Sequence, residues 1–243
     1  MHNLGHTRSA RRSDHILQTP DAFVRAPLPG MHGATAIVHI APAMGAAFTQ
    51  YTAEFEPAGW MDAIEVQRFV YVIEGELMLN EASLTPGDYA YLPPGHRARV
   101  SATTHARAAV IEKAYQPLPA IPAPGCLIAR ENNVAAAPLL GDEALAVRAL
   151  LPDEPAFDFA VNTMTYLPGG ALPNVEIHVM EHGLLMLAGG GIYRLGDCWY
   201  PVAAGGFIWM APFCPQWFGA LGKTPAKYLI YKDWNRAHHR AAP

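Results

Sequence analysis

The segment NVEIHVMEHG, residues 174–183, concentrates side chains that could hold a metal ion. Two glutamates and two histidines lie among residues that are otherwise mostly apolar: Glu176, His178, Glu181 and His182. Side chains two residues apart on a β-strand point to the same face, so Glu176 and His178 share a face. His182 has the same parity and could reach the same ion across a bend, whereas Glu181 alternates to the opposite face. The alternative is a strand with a polar face and no ligand.

A second group with catalytic potential lies in AKYLIYKDW, residues 226–234. Tyr228 and Lys232 are four residues apart and share one face of the expected strand, whereas Lys227 takes the other face. If the first face lines an apolar cavity beside a cation, burial lowers the pKa of Lys232, as general acid–base catalysis requires. The alternative is a rim lysine, solvated or paired with the next aspartate. Tyr193, after AGGG, could donate to a substrate carboxylate or pack in the core.

Composition and charge exclude several classes of function. The formal net charge of −4 gives no basis for nucleic-acid binding. The basic run HTRSARRSDH lacks the apolar segment of a secretory signal, and no stretch approaches the roughly 18 apolar residues of a membrane span. Cys126, Cys198 and Cys214 show no CxxC spacing, so we expect neither a disulfide framework nor a zinc knuckle. We expect a soluble cytoplasmic protein without a nucleic-acid or membrane partner.

The elements that must position these residues are short strands. The 22 prolines and 21 glycines punctuate the chain, which favours strands and turns over long helices. The run FVYVIEGELMLNEASLTPGDYAYLPPGHRARV is echoed later by GLLMLAGGGIYRLGDCWYPVAAGGFIWMAPF. Each copy has a glycine after an apolar run, then a second glycine followed by a proline: Gly75, Gly87 and Pro94, then Gly189, Gly205 and Pro212. The distance from the second glycine to the proline is the same in both copies. The chain therefore contains an internal repeat.

The repeat predicts two similar β domains. AAVIEKAY and KYLIYKDW end the two copies, and their likeness aligns Lys113 with Lys232. Between the copies lies the Pro-rich stretch PLPAIPAPG, which has few backbone donors and is typical of a stiff linker. We predict an N-terminal arm at 1–19, a domain at 20–116, a linker at 117–125 and a second domain at 126–243. The arm is either a disordered tail or a packing arm.

Two such repeats resemble a bicupin, which has two antiparallel jelly-roll β-barrels in tandem and is all-β. The first repeat keeps the second cupin motif as GDYAYLPPGHRA, but Ala98 stands where that motif has a histidine, and His96 comes two residues too early. The first-motif ligand positions hold Asp62, Ile64 and Arg68. The resemblance therefore implies that the first domain has no metal site and that His96 is a loop or surface residue.

The second repeat matches the ligand frame. Glu176, His178 and His182 fill the first-motif positions, and Gln216 fills the ligand position of the second motif. Two imidazoles with oxygen donors suit Mn²⁺, Fe²⁺, Ni²⁺ or Zn²⁺, and the oxygen-rich set without cysteine favours Mn²⁺.

Over most of residues 20–236 the chain resembles the (S)-ureidoglycine aminohydrolase family, most specifically in E-x-H-x3-H, the downstream glutamine and Y-x3-K. The resemblance implies a homo-oligomeric enzyme with one Mn²⁺ per chain, releasing ammonia from a ureido carboxylate in purine (allantoin) catabolism. It implies Glu176 and Lys232 as catalytic residues. It implies substrate contacts from Tyr193, Gln216, Tyr228 and Lys232. The segments GDCWYPVAAGGF and MAPFCP depart from the family pattern near the pocket.

Two other classes remain open from the sequence. One is a different metal-dependent cupin enzyme, a dioxygenase or isomerase acting on a small carboxylate, which bound iron and oxygen consumption would indicate. The other is a non-enzymatic ligand-binding bicupin, which would not need the complete ligand set. The sequence also leaves open whether ammonia loss proceeds through an imine or by direct displacement.

Overall fold

The computed structural model describes residues 7–236, and nearly all of their regular structure is β-strand. Three short 3-10 helices span Pro20–Ala22, Pro42–Met44 and Glu131–Asn133. Among residues 7–236 no helix is both long and apolar enough to span a membrane. The strands are β1 (Ala10–Arg11), β2 (His15–Gln18), β3 (Met31–Ile40), β4 (Thr49–Met61), β5 (Gln67–Glu74), β6 (Leu77–Leu79), β7 (Ala82–Leu84), β8 (Asp88–Leu92), β9 (Val100–Ala102), β10 (Ala106–Lys113), β11 (Leu127–Arg130), β12 (Ala137–Leu139), β13 (Asp142–Ala149), β14 (Phe159–Tyr166), β15 (His182–Ala188), β16 (Gly190–Leu195), β17 (Cys198–Ala203), β18 (Phe207–Met210), β19 (Gln216–Ala220) and β20 (Ala226–Asp233).

The strands form two compact units. The N-terminal domain comprises Phe23–Val134, and the C-terminal domain combines the residues up to Ala22 with those from Ala135 onwards. In the N-terminal domain a nine-stranded sheet has the order β11-β8-β5-β10-β4-β9-β6-β7, with β3 also paired to β4. In the C-terminal domain an eight-stranded sheet has the order β1-β2-β18-β15-β20-β14-β13-β12, and β17-β16-β19 form a second sheet. All pairings are antiparallel in the described residues, as the sequence predicts.

Each domain has its own apolar core. Val70, Val72 and Val110 lie in the N-terminal core, where successive strands of the sheet bury their inward faces. The C-terminal core is more aromatic and includes Tyr166, Phe218 and Tyr228. Aromatic and β-branched side chains pack well on a pleated surface, so these compositions favour the strands that carry them.

The domain boundaries lie at different residues from those expected. β2 pairs with β18 of the C-terminal domain, in a register from Phe207↔Gln18 to Met210↔His15, so this part of the N-terminal arm is a sheet strand. β11, expected to open the second domain, instead extends the N-terminal sheet by pairing with β8. Arg130 of β11 binds Asp88 at 2.6 Å, and this ion pair helps to hold the strand there. The pattern of apolar residues along the sequence does not indicate that β2 pairs with β18 or that β11 pairs with β8.

Two glycines mark equivalent turns of the repeats. Gly75 and Gly189 adopt φ of +74° and +62°, a region that favours glycine. A Cβ on Gly75 would lie 2.1 Å from the carbonyl oxygen of His105, and one on Gly189 would lie 2.5 Å from that of Pro225. Only glycine fits at either position, which confirms that Gly75 and Gly189 are corresponding positions of the two repeats.

The strand register shows which residues of the two repeats are equivalent. Arg68 of β5 faces Glu112 of β10, and His182 of β15 faces Lys232 of β20. Arg68 and His182 both precede their marker glycine by the same number of residues. Glu112, not Lys113, is therefore the counterpart of Lys232, and the alignment based on sequence likeness is wrong by one residue.

Candidate active site

The ligand-bearing segment is anchored to β19. The backbone N–H of Glu176 donates to the Gln216 carbonyl at 2.8 Å, and the Gln216 N–H donates to the Glu176 carbonyl at 2.9 Å. Beyond this bridge, residues 177–181 are irregular, not a regular strand, until β15 begins at His182. The expected alternation persists nevertheless. Val175, Ile177 and Val179 are exposed, whereas the side chains between them turn inward.

The inward side chains line a cavity of about 320 Å³ in the C-terminal domain. Six of the seven residues predicted for the site contribute to its wall: Glu176, His178, His182, Gln216, Tyr228 and Lys232. Leu139, Leu140, Asn162, Met164 and Met180 are among the other lining residues. The structure therefore gathers side chains from β14, β15, β19, β20 and the preceding segment at one place.

His178 lies next to both Glu176 and His182, the two residues predicted to bind the metal with it. Its Nε2 lies 3.1 Å from Glu176 Oε2. Its ring stands nearly perpendicular to that of His182, at 83°, with 5.3 Å between ring centroids. The His178 carbonyl accepts a 2.6 Å hydrogen bond from the Phe213 N–H, which ties the segment to the loop before Gln216.

His182 is a buried imidazole whose ring nitrogens are available. It is 4% exposed, and neither Nδ1 nor Nε2 has a hydrogen-bond partner of good geometry. Burial is the main cause that lowers the pKa of His182 to about 3; His178 and Lys232 act in the same direction, and the backbone of Tyr231 acts against them. At neutral pH the ring is uncharged and can offer a lone pair. Buried polar atoms without partners are rare, so this ring fits a metal ligand.

Gln216 is held from behind by Tyr193. The Tyr193 hydroxyl donates to Gln216 Oε1 at 2.7 Å. Tyr193 is only 1% exposed and does not belong to the cavity wall. Its predicted contact with substrate remains a prediction, but the contact that this structure gives it is with Gln216.

Lys232 reaches the cavity from β20. In the amide orientation that satisfies its neighbours, the Asn162 oxygen accepts from Lys232 Nζ at 3.2 Å and its nitrogen donates to the Val161 carbonyl at 3.1 Å. Lys232 Nζ also lies 4.7 Å from the centroid of the Trp234 ring, within range of a cation–π contact. Burial lowers the pKa of Lys232, while Asp153 and Glu176 oppose that change. Sequence patterns did not indicate the two neighbours, Asn162 and Trp234.

Two buried tyrosines pack beneath the cavity. The hydroxyls of Tyr166 and Tyr228 are 2.8 Å apart, and the Tyr228 hydroxyl also lies 3.2 Å from Met164 Sδ. Burial is the main cause that raises the pKa of Tyr166 and the pKa of Tyr228, so both hydroxyls stay protonated at physiological pH. Tyr228 is therefore orientated by Tyr166 in the cavity wall.

Comparison with known proteins identifies the family. The curated (S)-ureidoglycine aminohydrolase of Arabidopsis thaliana is 40% identical over 241 residues, covering 96% of this chain and 80% of that protein. The chain belongs to the (S)-ureidoglycine aminohydrolase family. A model described as an EutQ-like cupin domain matches residues 43–115. The predicted all-β cupin fold and the family resemblance are both confirmed.

Solved structures share the fold of this chain. A putative glyoxylate-induced protein from Pseudomonas aeruginosa superposes with a TM-score of 0.88 at 31% identity, covering 98% of this chain and 94% of that one. An oxalate decarboxylase from Bacillus subtilis superposes with a TM-score of 0.68 at 11% identity over 94% of this chain and 79% of that one, which shows a shared fold alone.

The aminohydrolase fold carries a different arrangement in the N-terminal domain. Arg68 Nε binds Glu112 Oε1 at 2.8 Å, and Arg68 also donates to the Asp62 carbonyl at 2.9 Å. Ile64 and Ala98 lie beside Arg68, while His96 Nδ1 accepts from the Ala98 backbone N–H at 3.2 Å. The guanidinium of Arg68 and the hydrocarbon side chains of Ile64 and Ala98 cannot ligate a cation, so these residues do not fit a metal site.

The fit of a metal in the C-terminal domain rests on donor chemistry. Two imidazoles, a carboxylate and an amide oxygen suit a divalent first-row ion. Glu176, His178 and His182 do not bring one ligand atom each within 4.8 Å of the others, so binding an ion requires side-chain rotations that bring these atoms closer together. The unpartnered nitrogens of His182 and the adjoining cavity leave room for these rotations.

One tighter cluster was not anticipated. Among residues 7–236, Asp14, His15 and Cys214 do bring their ligand atoms within 4.8 Å of one another. There, however, His15 already pairs both ring nitrogens, with Asp14 at 2.9 Å and with the Tyr200 hydroxyl at 2.9 Å. Burial is the main cause that raises the pKa of Cys214 to about 11, so its thiol stays protonated. We interpret this cluster as a polar network that fixes β2 to the C-terminal domain.

Proposed function

We propose that the chain hydrolyses (S)-ureidoglycine to (S)-ureidoglycolate and ammonia and uses one Mn²⁺ bound by Glu176, His178, His182 and Gln216. The observation that carries the proposal is the single cavity that joins these four side chains to Tyr228 and Lys232. Its volume of about 320 Å³ lies at the small end of ligand pockets, which span roughly 300–1,000 Å³. A small ureido carboxylate is a substrate of suitable size, and the family membership supports the same reaction.

The reaction breaks the bond between the α-carbon and its amino group and forms a bond to a water oxygen. A bound divalent ion would orientate the substrate carboxylate and stabilise negative charge. When Tyr166 donates to the Tyr228 oxygen, the Tyr228 hydroxyl can turn its own proton from Met164 Sδ to the substrate. The apolar wall formed by Leu139, Met164 and Ile230 limits the access of bulk water.

Lys232 is the proton carrier in this proposal. Its lowered pKa makes the neutral form accessible, so the amine can take a proton from the attacking water. The resulting ammonium can pass this proton to the departing amino group, which then leaves as ammonia, so the lysine is unchanged over one turnover. The Asn162 oxygen holds Nζ at the cavity wall, and Glu176, the second proposed catalytic residue, opposes the loss of charge from Lys232.

Freshly prepared (S)-ureidoglycine with purified protein tests the reaction. The proposal predicts one ammonia per substrate consumed and a single enantiomer of ureidoglycolate, at rates above spontaneous decay. His178→Ala should reduce the rate to that of the buffer. Substrate loss without ammonia, or oxygen consumption with bound iron, would instead indicate an isomerase or a dioxygenase.

The cellular setting is also a proposal. We infer a homo-oligomer acting in purine catabolism on the basis of the family resemblance, and we propose the cytoplasm as its location. Light scattering on the purified protein tests the assembly, and a monomer at micromolar concentration would contradict it.

A further inference from the structure

We propose that Tyr193 is a positioning residue whose hydroxyl orientates the Gln216 amide so that its oxygen, and not its nitrogen, is the atom available to a cation. The inference rests on the proposed metal site and gives Tyr193 a role other than contact with substrate. The 2.7 Å hydrogen bond from Tyr193 to Gln216 Oε1 and the burial of both side chains are the observations behind it.

The chemistry of an amide makes such a device necessary. A glutamine side chain has an acceptor oxygen and a donor NH₂ group of nearly the same shape, and only the oxygen can ligate a cation. Without an orientating partner the amide can turn and present its NH₂ group instead. A carbonyl oxygen has two lone pairs, so Oε1 can accept from Tyr193 with one and retain the other for an ion.

The backbone fixes the geometry of the contact. β16 pairs with β19 so that Tyr193 faces Phe218 and Leu195 faces Gln216. Tyr193 and Gln216 are therefore diagonal neighbours on one face of the sheet, within reach for long side chains. The Tyr193 ring also packs on Phe218, with 5.4 Å between ring centroids. The hydroxyl is consequently placed by the sheet and does not depend on a mobile loop.

The need for an orientating partner distinguishes Gln216 from Glu176. The Glu176 carboxylate has two equivalent oxygens and presents one of them in either orientation, whereas the Gln216 amide presents an oxygen in only one. Loss of a partner that orientates a metal ligand typically lowers metal affinity about 10- to 100-fold.

A double-mutant cycle on Mn²⁺ affinity tests the inference without an activity assay. Tyr193→Phe should weaken Mn²⁺ binding by about 10- to 100-fold when residue 216 is glutamine. In the Gln216→Glu background the same change should have little effect, because a carboxylate offers oxygen in both orientations. Free Mn²⁺ can be followed by electron paramagnetic resonance for the four proteins. Tyr166→Phe, a change in an equally buried tyrosine that does not bind Gln216, is the matched control and should leave the affinity nearly unchanged.

The outcomes separate the two proposals. A tyrosine with a merely structural role would cause equal losses in both backgrounds, and this result would overturn the inference. An unchanged affinity in Tyr193→Phe with glutamine at 216 would overturn it as well, while the metal site would stand. Failure of the wild-type chain to bind Mn²⁺ would overturn the metal site and with it the role of Tyr193.

Discussion

Arg68 and Glu112 form an ion pair, with 2.8 Å between Nε and Oε1, at the place in the N-terminal domain where the C-terminal domain sets His182 opposite Lys232. Their side chains are 5% and 18% exposed. The two domains thus have different side chains at equivalent strand positions, and these side chains do different things. In the first domain the pair occupies the site with its own charges, and in the second the uncharged His182 and the lysine leave it open to a ligand.

The Arg68–Glu112 ion pair predicts that the protein loses stability when Glu112 alone is replaced. Glu112→Gln should lower the free energy of unfolding by about 3 kcal/mol, because removing one partner leaves the Arg68 charge buried and uncompensated. Urea denaturation measures this loss. Glu65→Gln, which disrupts a fully solvated pair with Arg97, is the control and should cost about 0–1 kcal/mol. Equal losses would mean that the Arg68 charge is not sequestered from water.

Replacing Lys232 should lower the turnover rate without disrupting the fold. Lys232→Met keeps an apolar stem of similar volume but removes the amine at the cavity wall. We expect turnover to fall by about 10² or more, the usual contribution of a positioned acid or base, with metal content retained. Steady-state ammonia release and elemental analysis measure the two quantities.

Lys227→Met is the matched control for that experiment. Lys227 lies on the same strand but does not belong to the cavity wall, so turnover should change little. If Lys232→Met retained normal turnover and only raised KM, Lys232 would be a binding residue and not a proton carrier.

The internal repeat and the side-chain parity predicted two β domains and part of the cavity wall, whereas the cupin fold and the role of Gln216 followed from the family resemblance. Side chains of one parity, Glu176, His178 and His182, line the cavity even though residues 177–181 are irregular and the chain bends at Val179 and Met180. The same rule separated Lys232 from Lys227. These features depend on local spacing, which the sequence states directly.

Features that depend on pairing were not predicted. The joining of β2 to β18 and of β11 to β8 depends on which edges the folded sheets leave open. The contact between Tyr193 and Gln216 depends on the register of β16 and β19. The mistaken match of Lys113 with Lys232 has the same origin, since only the register with the facing strand shows which of two adjacent residues is equivalent to Lys232.

His39 predicts a pH dependence of stability. The residue is fully buried, and its Nε2 lies 2.8 Å from Thr52 Oγ1. Burial lowers the pKa of His39 from 6.5 to about 3. Between these values the unfolded chain binds a proton that the folded chain does not, so stability is full above the unfolded pKa and declines as pH falls towards 3.

The measurement is the free energy of unfolding between pH 7 and pH 4. His39→Gln should flatten the decline by about 1.4 kcal/mol per pH unit, the linkage value for one proton. The exposed His105 is the control, and His105→Gln should leave the slope unchanged. Identical slopes for wild type and His39→Gln would show that His39 titrates normally in the folded protein.

Leu140 predicts a stabilising substitution. It lies with Gly141 in the two-residue turn between β12 and β13, and both have positive φ, +52° and +84°. Leucine is strained there, and its side chain is 77% exposed at the cavity. Asn-Gly is favoured in such a turn, so Leu140→Asn should raise the free energy of unfolding by about 1 kcal/mol. Thermal denaturation measures the change, and a lower melting temperature would refute this account of the turn.

The central claim is that one metal ion in the C-terminal cavity makes the chain an active aminohydrolase. The most direct measurement is ammonia release from (S)-ureidoglycine as Mn²⁺ is added back in steps to metal-stripped protein. The account predicts that activity rises from near zero, reaches a plateau at one equivalent per chain, and is not restored at that level in His182→Ala. Full activity in the stripped protein, or a plateau at two equivalents per chain, would contradict it.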